Sequence, residues 1–170
     1  KALRRAMHAR DVSVAGLDLR GVGMDFGDVC DLESVRAAFR GCQGVVHLAA
    51  VSRVIWGERD PEACWGTNIG GLRNIIAAAE EQRRRPWLIF ASSREVYGQA
   101  DVLPATEDTP LKPINVYGRS KATGEMLVGA AAMRGLRAAI VRLSNVYGST
   151  DDHADRVVPA FARAAAAGGE

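Results

Sequence analysis

Gly44-Val45-Val46-His47-Leu48-Ala49-Ala50, "GVVHLAA", is the stretch on which the fold turns. It is too short for a typical helix and almost continuously apolar. A half-exposed strand would alternate, so this run reads as a strand buried on both faces, the kind found in parallel sheets covered by helices. Downstream, Asp60-Pro61-Glu62 supplies an N-cap and a first-turn proline, which predicts a helix running to Arg83-Arg84-Arg85, where cations complement the helix dipole. "PWLIFASS" from Pro86 is the next strand, followed by a polar, proline-bearing loop from about Arg94 to Pro113. Such a long loop points to function. Asn115 then caps a helix carrying "VYGRSKATGEMLVGAAAMR" to a stop at Gly135, and "LRAAIVRL" from Leu136 returns as a strand.

Upstream, the same logic predicts a strand in "VSVAGLD" from Val12 and a second in "GVGMDFGD" from Gly21. A helix follows in "DLESVRAAF", with Asp31 as its cap, Val35 and Phe39 on one face and Gly41 as its stop. Strands alternating with helices define an α/β fold with a doubly wound parallel sheet. Gly70 and Gly71 interrupt the Asp60 helix, each at about 1 kcal/mol relative to alanine. Close packing against a neighbouring element is the expected reason.

Composition narrows the function. The chain has 170 residues, 48% of them hydrophobic, enough for one core and one domain. Its net charge of +2 comes from 22 basic and 20 acidic residues and gives no nucleic-acid surface. Cys30, Cys42 and Cys64 lack zinc-site spacing, and His8, His47 and His153 are scattered, so no metal site is expected. No apolar stretch approaches the roughly 20 residues of a membrane span, and a reducing cytoplasm is the expected location.

The tripeptide Val-Tyr-Gly occurs three times, at Tyr97, Tyr117 and Tyr147, which are all the tyrosines present. The unequal spacing and unlike surroundings argue against a structural repeat. Asp101 and Asp151 stand four residues after Tyr97 and Tyr147, but Lys121 stands four after Tyr117. On a helix that places phenol and ammonium on one face. A nearby ammonium favours phenolate and should lower the tyrosine pKa, making a proton-transfer pair. A surface lysine beside a packed tyrosine is the alternative reading of the same spacing.

With these residues in view, the chain resembles the extended short-chain dehydrogenases, specifically the NAD-dependent sugar-nucleotide epimerases and dehydratases. "GDVCD" is similar to the turn after that family's third strand, which implies that Asp28 and Val29 lie at the adenine. "VVHLAA" resembles the cofactor-facing end of the fourth strand, with Leu48, Ala49 and Ala50, and "PEACWGTNIGGLRNIIAAA" resembles a helix that brings Asn68 near the active site. "FASSREVYG" resembles the fifth strand and its catalytic hydroxyl, here Ser93. Tyr117 and Lys121 are then the base and its partner, with Lys121 also holding the nicotinamide ribose. "VRLSNVYG" resembles the sixth strand and the loop where Asn145 meets substrate phosphate. Tyr97 and Tyr147 would shape substrate loops.

The resemblance implies a Rossmann-like fold, NAD as cofactor and a nucleoside-diphosphate sugar as substrate. It also implies a homodimer through the helices at about 61–83 and 115–134. NADP stays open because Arg20 is near Asp18, which is either a ribose ligand or a surface aspartate at a strand end. The family's glycine-rich turn is not among these residues, nor is its smaller substrate lobe. Residues 1–170 are therefore expected to be a partial catalytic domain lacking the first strand, with weak dinucleotide binding when alone. Epimerisation is the first expectation. The alternatives are a 4,6-dehydratase, a ketone reductase and an inert truncated domain. Arg94 and Glu95, at the substrate, bear on this choice: dehydratases of the family resemble one another in having Asp-Glu there, and an arginine cannot act as the acid for elimination.

Overall fold

A computed structural model describes residues 2–148 and 156–168; His153 and Asp151 lie outside them. Three parallel strands, β1 (Gly44–His47), β2 (Trp87–Ser93) and β3 (Ala138–Leu143), form one sheet in the order β1-β2-β3. His47 pairs with Phe90, and Ser93 with Leu143, so the carboxyl ends of all three strands leave the same edge. Ligands of open α/β sheets bind at that edge.

Around the sheet run α1 (Ala2–His8), α2 (Leu32–Ala38), α3 (Val54–Arg59), α4 (Pro61–Trp65), α5 (Gly71–Glu81), α6 (Val116–Met133) and α7 (Val157–Ala166). The caps are the expected ones: Asp31 accepts from the amides of Glu33 and Ser34, Asp60 from Ala63, and Asn115 from Gly118. Each oxygen satisfies amides that the first helical turn leaves without partners. Gly135, with φ of 93°, ends α6 as expected. The core joins Val35 and Phe39 of α2, Leu72, Ile75 and Ile76 of α5, Leu88 and Phe90 of β2, and Val128 and Ala131 of α6. Removing such apolar surface from water is the main stabilising contribution.

Two expectations change. The strands predicted at Val12 and Gly21 do not form. The two segments meet only at a parallel bridge between Asp18 and Phe26, and a short 3-10 turn occupies Gly23–Asp25. A strand needs a hydrogen-bonded neighbour, and among the described residues neither segment joins the three-stranded sheet. The single helix expected from Asp60 is instead α4, a π turn at Gly66–Gly70, and α5 in succession, with α3 placed before them. A Cβ on Gly71 would come within 2.7 Å of the Val29 side chain, so close packing does explain this glycine, whereas Gly70 faces open space. No helix among the described residues is long and apolar enough to cross a membrane.

Candidate active site

β2 and α6 build the site. Ser93 is the last residue of β2, and its Oγ accepts from the Glu95 amide at 3.2 Å, which caps the 3-10 turn Arg94–Val96. Tyr117 lies in the first turn of α6, with its phenol near enough to the Ser93 side chain for that hydroxyl to favour the phenolate. Lys121, one turn on, is only 3% exposed. Its Nζ donates to the Ala91 carbonyl at 2.8 Å and lies 4.9 Å from the centre of the Phe90 ring and 5.8 Å from that of Tyr117. Hydroxyl, phenol and amine thus converge at the carboxyl edge of the sheet.

The electrostatics correct the expectation for the phenol. Burial raises the Tyr117 pKa above its ordinary value, and the neighbouring Ser93 side chain only partly opposes this. Burial also lowers Lys121 to about 8. Withdrawing phenolate from water disfavours it more than the surroundings favour it. His47, stacked on Phe90 with ring centres 6.0 Å apart, is lowered to about 4 by burial and by Lys121. Its Nε2 is buried without a hydrogen-bond partner.

α6 is fixed at its start by contacts that the sequence did not reveal. The Val116 amide donates to Glu58 of α3 at 2.7 Å, and the capping Asn115 donates through Nδ2 to Glu95 at 2.8 Å. Glu95 also pairs with Arg94 at 3.7 Å. A Cβ on Gly118 would come within 2.6 Å of the Glu95 carbonyl, so only glycine lets the helix start seat so closely on the 3-10 turn.

Asn68, in the π turn, is buried and engaged on all sides. Its Oδ1 accepts from the Val51 amide at 2.8 Å, and its Nδ2 donates to the Val51 carbonyl at 3.2 Å and to Ser120 Oγ at 2.9 Å. It therefore ties the loop after β1 to the residue beside Lys121. Leu48, Ala49 and Ala50 follow β1 at the same edge, with Leu48 exposed. Asp28 accepts from the Cys30 amide at 2.8 Å, while Val29 is packed beneath Gly71 and its carbonyl accepts from Asn74 at 2.9 Å. Asp18 accepts from the Arg20 amide at 2.8 Å. Asn145 is exposed two residues beyond β3, and no hydrogen bond or ion pair joins it to Ser93 or Tyr117 among the described residues. Nor do any three His, Cys, Asp or Glu side chains among those residues converge as metal ligands would.

A dinucleotide's nicotinamide end fits these residues. The Ala91 carbonyl takes one of the three N–H donors of a lysine ammonium, which leaves donors for a ribose diol, and the orphaned His47 nitrogen belongs to the last residue of β1. Asp18 and Asp28 each spend one oxygen on a local amide and retain further lone pairs.

Residues 1–170 match the NAD dependent epimerase/dehydratase family. The chain is 38% identical over 127 residues to a UDP-glucose 4-epimerase of Streptomyces lividans, covering 72% of this chain and 38% of that protein. It is 35% identical over 136 residues to a dTDP-glucose 4,6-dehydratase of Streptomyces griseus, covering 79% and 40%. Among solved structures, it resembles the UDP-glucose 4-epimerase of Thermotoga maritima with UDP-glucose, with a TM-score of 0.87 and 25% identity over 99% of this chain and 60% of that one. It also resembles the Brucella ovis UDP-glucose 4-epimerase in complex with NAD, with a TM-score of 0.68 and 32% identity over 72% and 38%. The chain spans about two-fifths of the length of the curated relatives it matches. It belongs to the NAD dependent epimerase/dehydratase family, and its parallel α/β fold is Rossmann-like.

Proposed function

We propose that this member of the NAD dependent epimerase/dehydratase family is the catalytic part of an epimerase acting on a nucleoside-diphosphate sugar. The observation that carries the reading is the meeting of Ser93, Tyr117 and Lys121 at the carboxyl edge of the sheet. Bound NAD would accept a hydride from a sugar carbon and return it. Tyr117 takes the proton from the hydroxyl on that carbon, and Ser93 hydrogen-bonds the same oxygen. Lys121 holds the cofactor's ribose, and its charge, together with that of an oxidised nicotinamide, favours the phenolate that burial otherwise resists. After the ketosugar presents its other face, Tyr117 gives the proton back. Asp28, Val29 and Leu48–Ala50 would line the cofactor, Asp18 would reach its adenosine ribose, and Asn145 and the Arg94-Glu95 pair would face substrate. Asn68 serves by holding the loop after β1.

Similarity to UDP-glucose 4-epimerases supports epimerisation. Dehydratases are similar too, but the residue after Ser93 is an arginine already paired with Glu95, and a guanidinium does not serve as a general acid. A homodimer fits the groove between α5 and α6, lined by Ile76, Ala77, Leu127 and Ala130 and crossed by the Arg134–Glu80 ion pair of 2.8 Å. Incubation of an enzyme containing this chain with NAD and a panel of nucleotide sugars, followed by NMR, tests the reaction. Inversion at a sugar carbon is expected, and accumulation of a 4-keto-6-deoxy product would overturn it.

A further inference from the structure

A partly buried ion pair beside the candidate site has no part in the chemistry above. Glu125 lies on α6 one turn beyond Lys121, on the stripe that begins with Tyr117, and is 6% exposed. Its Oε1 accepts from Ser92 Oγ at 2.5 Å and from Arg142 Nε at 3.0 Å, and its Oε2 from Arg142 Nη2 at 2.8 Å. The fork-to-fork geometry fixes the guanidinium plane. Arg142 comes from β3, and its remaining nitrogen, Nη1, donates to Tyr97 Oη at 2.9 Å and to the Glu107 carbonyl at 2.9 Å. The guanidinium carbon also lies 5.0 Å from the centre of the Tyr97 ring. Both contacts from Nη1 reach the long loop after β2.

That loop is closed at its neck, where the Lys112 amide donates to the Val96 carbonyl at 3.0 Å and Lys112 Nζ pairs with Asp101 at 2.5 Å. These contacts close the loop on itself but do not say where its body lies. Arg142 does, because the Glu107 carbonyl is in the middle of the loop and the same nitrogen holds Tyr97 at its start. One guanidinium therefore joins β3, the helix of Tyr117 and Lys121, and the loop that leaves Ser93. Removing Arg142 would leave the buried Glu125 carboxylate uncompensated, so the pair resists rearrangement.

We propose that Arg142, held by Glu125, is a positioning residue that locks the 97–113 loop to the catalytic helix, so that loop and helix present one preset surface to the bound sugar. The part of this concerning the sugar rests on the epimerase reading; the lock itself does not.

Hydrogen exchange on the chain, as wild type and as Tyr97→Phe, Arg142→Lys and the double variant, tests the lock. Tyr97→Phe deletes one hydrogen bond, and an interaction of that size should speed exchange in 97–113 by roughly 10-fold while α5 stays within about twofold. Arg142→Lys, which gives up the Glu107 contact as well, should speed exchange there by at least as much, and adding Tyr97→Phe to it should change exchange by less than about twofold, since the Tyr97 contact is then already gone. Unchanged exchange in the loop, acceleration spread equally over α5, or additive effects would overturn the lock. In an enzyme that turns over nucleotide sugar, Tyr97→Phe should raise KM by about fivefold or more with kcat within about threefold and the pH profile of kcat unmoved, as loss of positioning in the ground state requires. A loss confined to kcat would overturn the sugar-facing role. If the exchange results hold and no nucleotide sugar is turned over, the epimerase reading fails and the lock stands.

Discussion

Tyr117 and Tyr97 share the tripeptide Val-Tyr-Gly and occupy opposite circumstances. Tyr117 is buried in the first turn of a helix, beside Ser93 and followed on the same face by an amine. Tyr97 is half-buried at the end of a 3-10 turn, and a guanidinium both donates to its oxygen and covers its ring. Arg142 stays charged at all relevant pH and holds the Tyr97 oxygen as an acceptor, which suits a fixed structural contact. Lys121 is buried, with a pKa near 8, and can answer a change in local charge. An identical local sequence thus takes its role from the cation that the fold delivers to it.

Changing those surroundings tests the contrast. The largest effect should come from Lys121→Met, which keeps much of the side-chain length and removes the amine. Turnover should fall by about 100-fold or more, as loss of a group that supports acid-base catalysis does. Thermal unfolding should come no earlier, because a buried amine has been replaced by an apolar group. Retained turnover would erase the distinction between the two tyrosines.

The buried surroundings of Tyr117 should also show in acid. His47 has a folded pKa of about 4 against an ordinary 6.5. As pH falls below 6.5 the unfolded chain binds this proton first, so stability declines from there through pH 4, by at most about 3 kcal/mol. Urea unfolding of wild type and His47→Leu across that window should show wild type losing stability relative to the variant as pH falls. A difference independent of pH would mean that the imidazole does not stay neutral.

Asn115→Ala should have the smallest effect, about 1 kcal/mol of stability for a lost N-cap, measured by the same unfolding experiment. The Glu95 contact is lost with it, so a larger change would show that the seat of α6 on the 3-10 turn depends on that carboxylate.

The three paired strands and the caps of α2, α4 and α6 were legible in the sequence because each rests on a local cause: apolar runs, Asp31, Asp60 and Asn115. Val12–Asp18 reads just as well as a strand and is none, since strand formation depends on a neighbour that propensity does not report. The spacing of Tyr117 and Lys121 showed which side chains share a face. It could not weigh burial against charge, and the phenol pKa consequently moves up, not down. The anchors in Asn68, Glu58 and Arg142 depend on contacts between distant segments. Only Glu125 left a local trace, as a carboxylate one turn beyond Lys121 on the buried stripe of α6.

The central claim is that Tyr117, not Tyr97, carries the proton. Single-turnover kinetics of Tyr117→Phe and Tyr97→Phe, in an enzyme containing this chain and loaded with NAD and nucleotide sugar, test it most directly. Hydride transfer should slow by at least about 100-fold in Tyr117→Phe and by less than about 10-fold in Tyr97→Phe. A greater loss in Tyr97→Phe would contradict it.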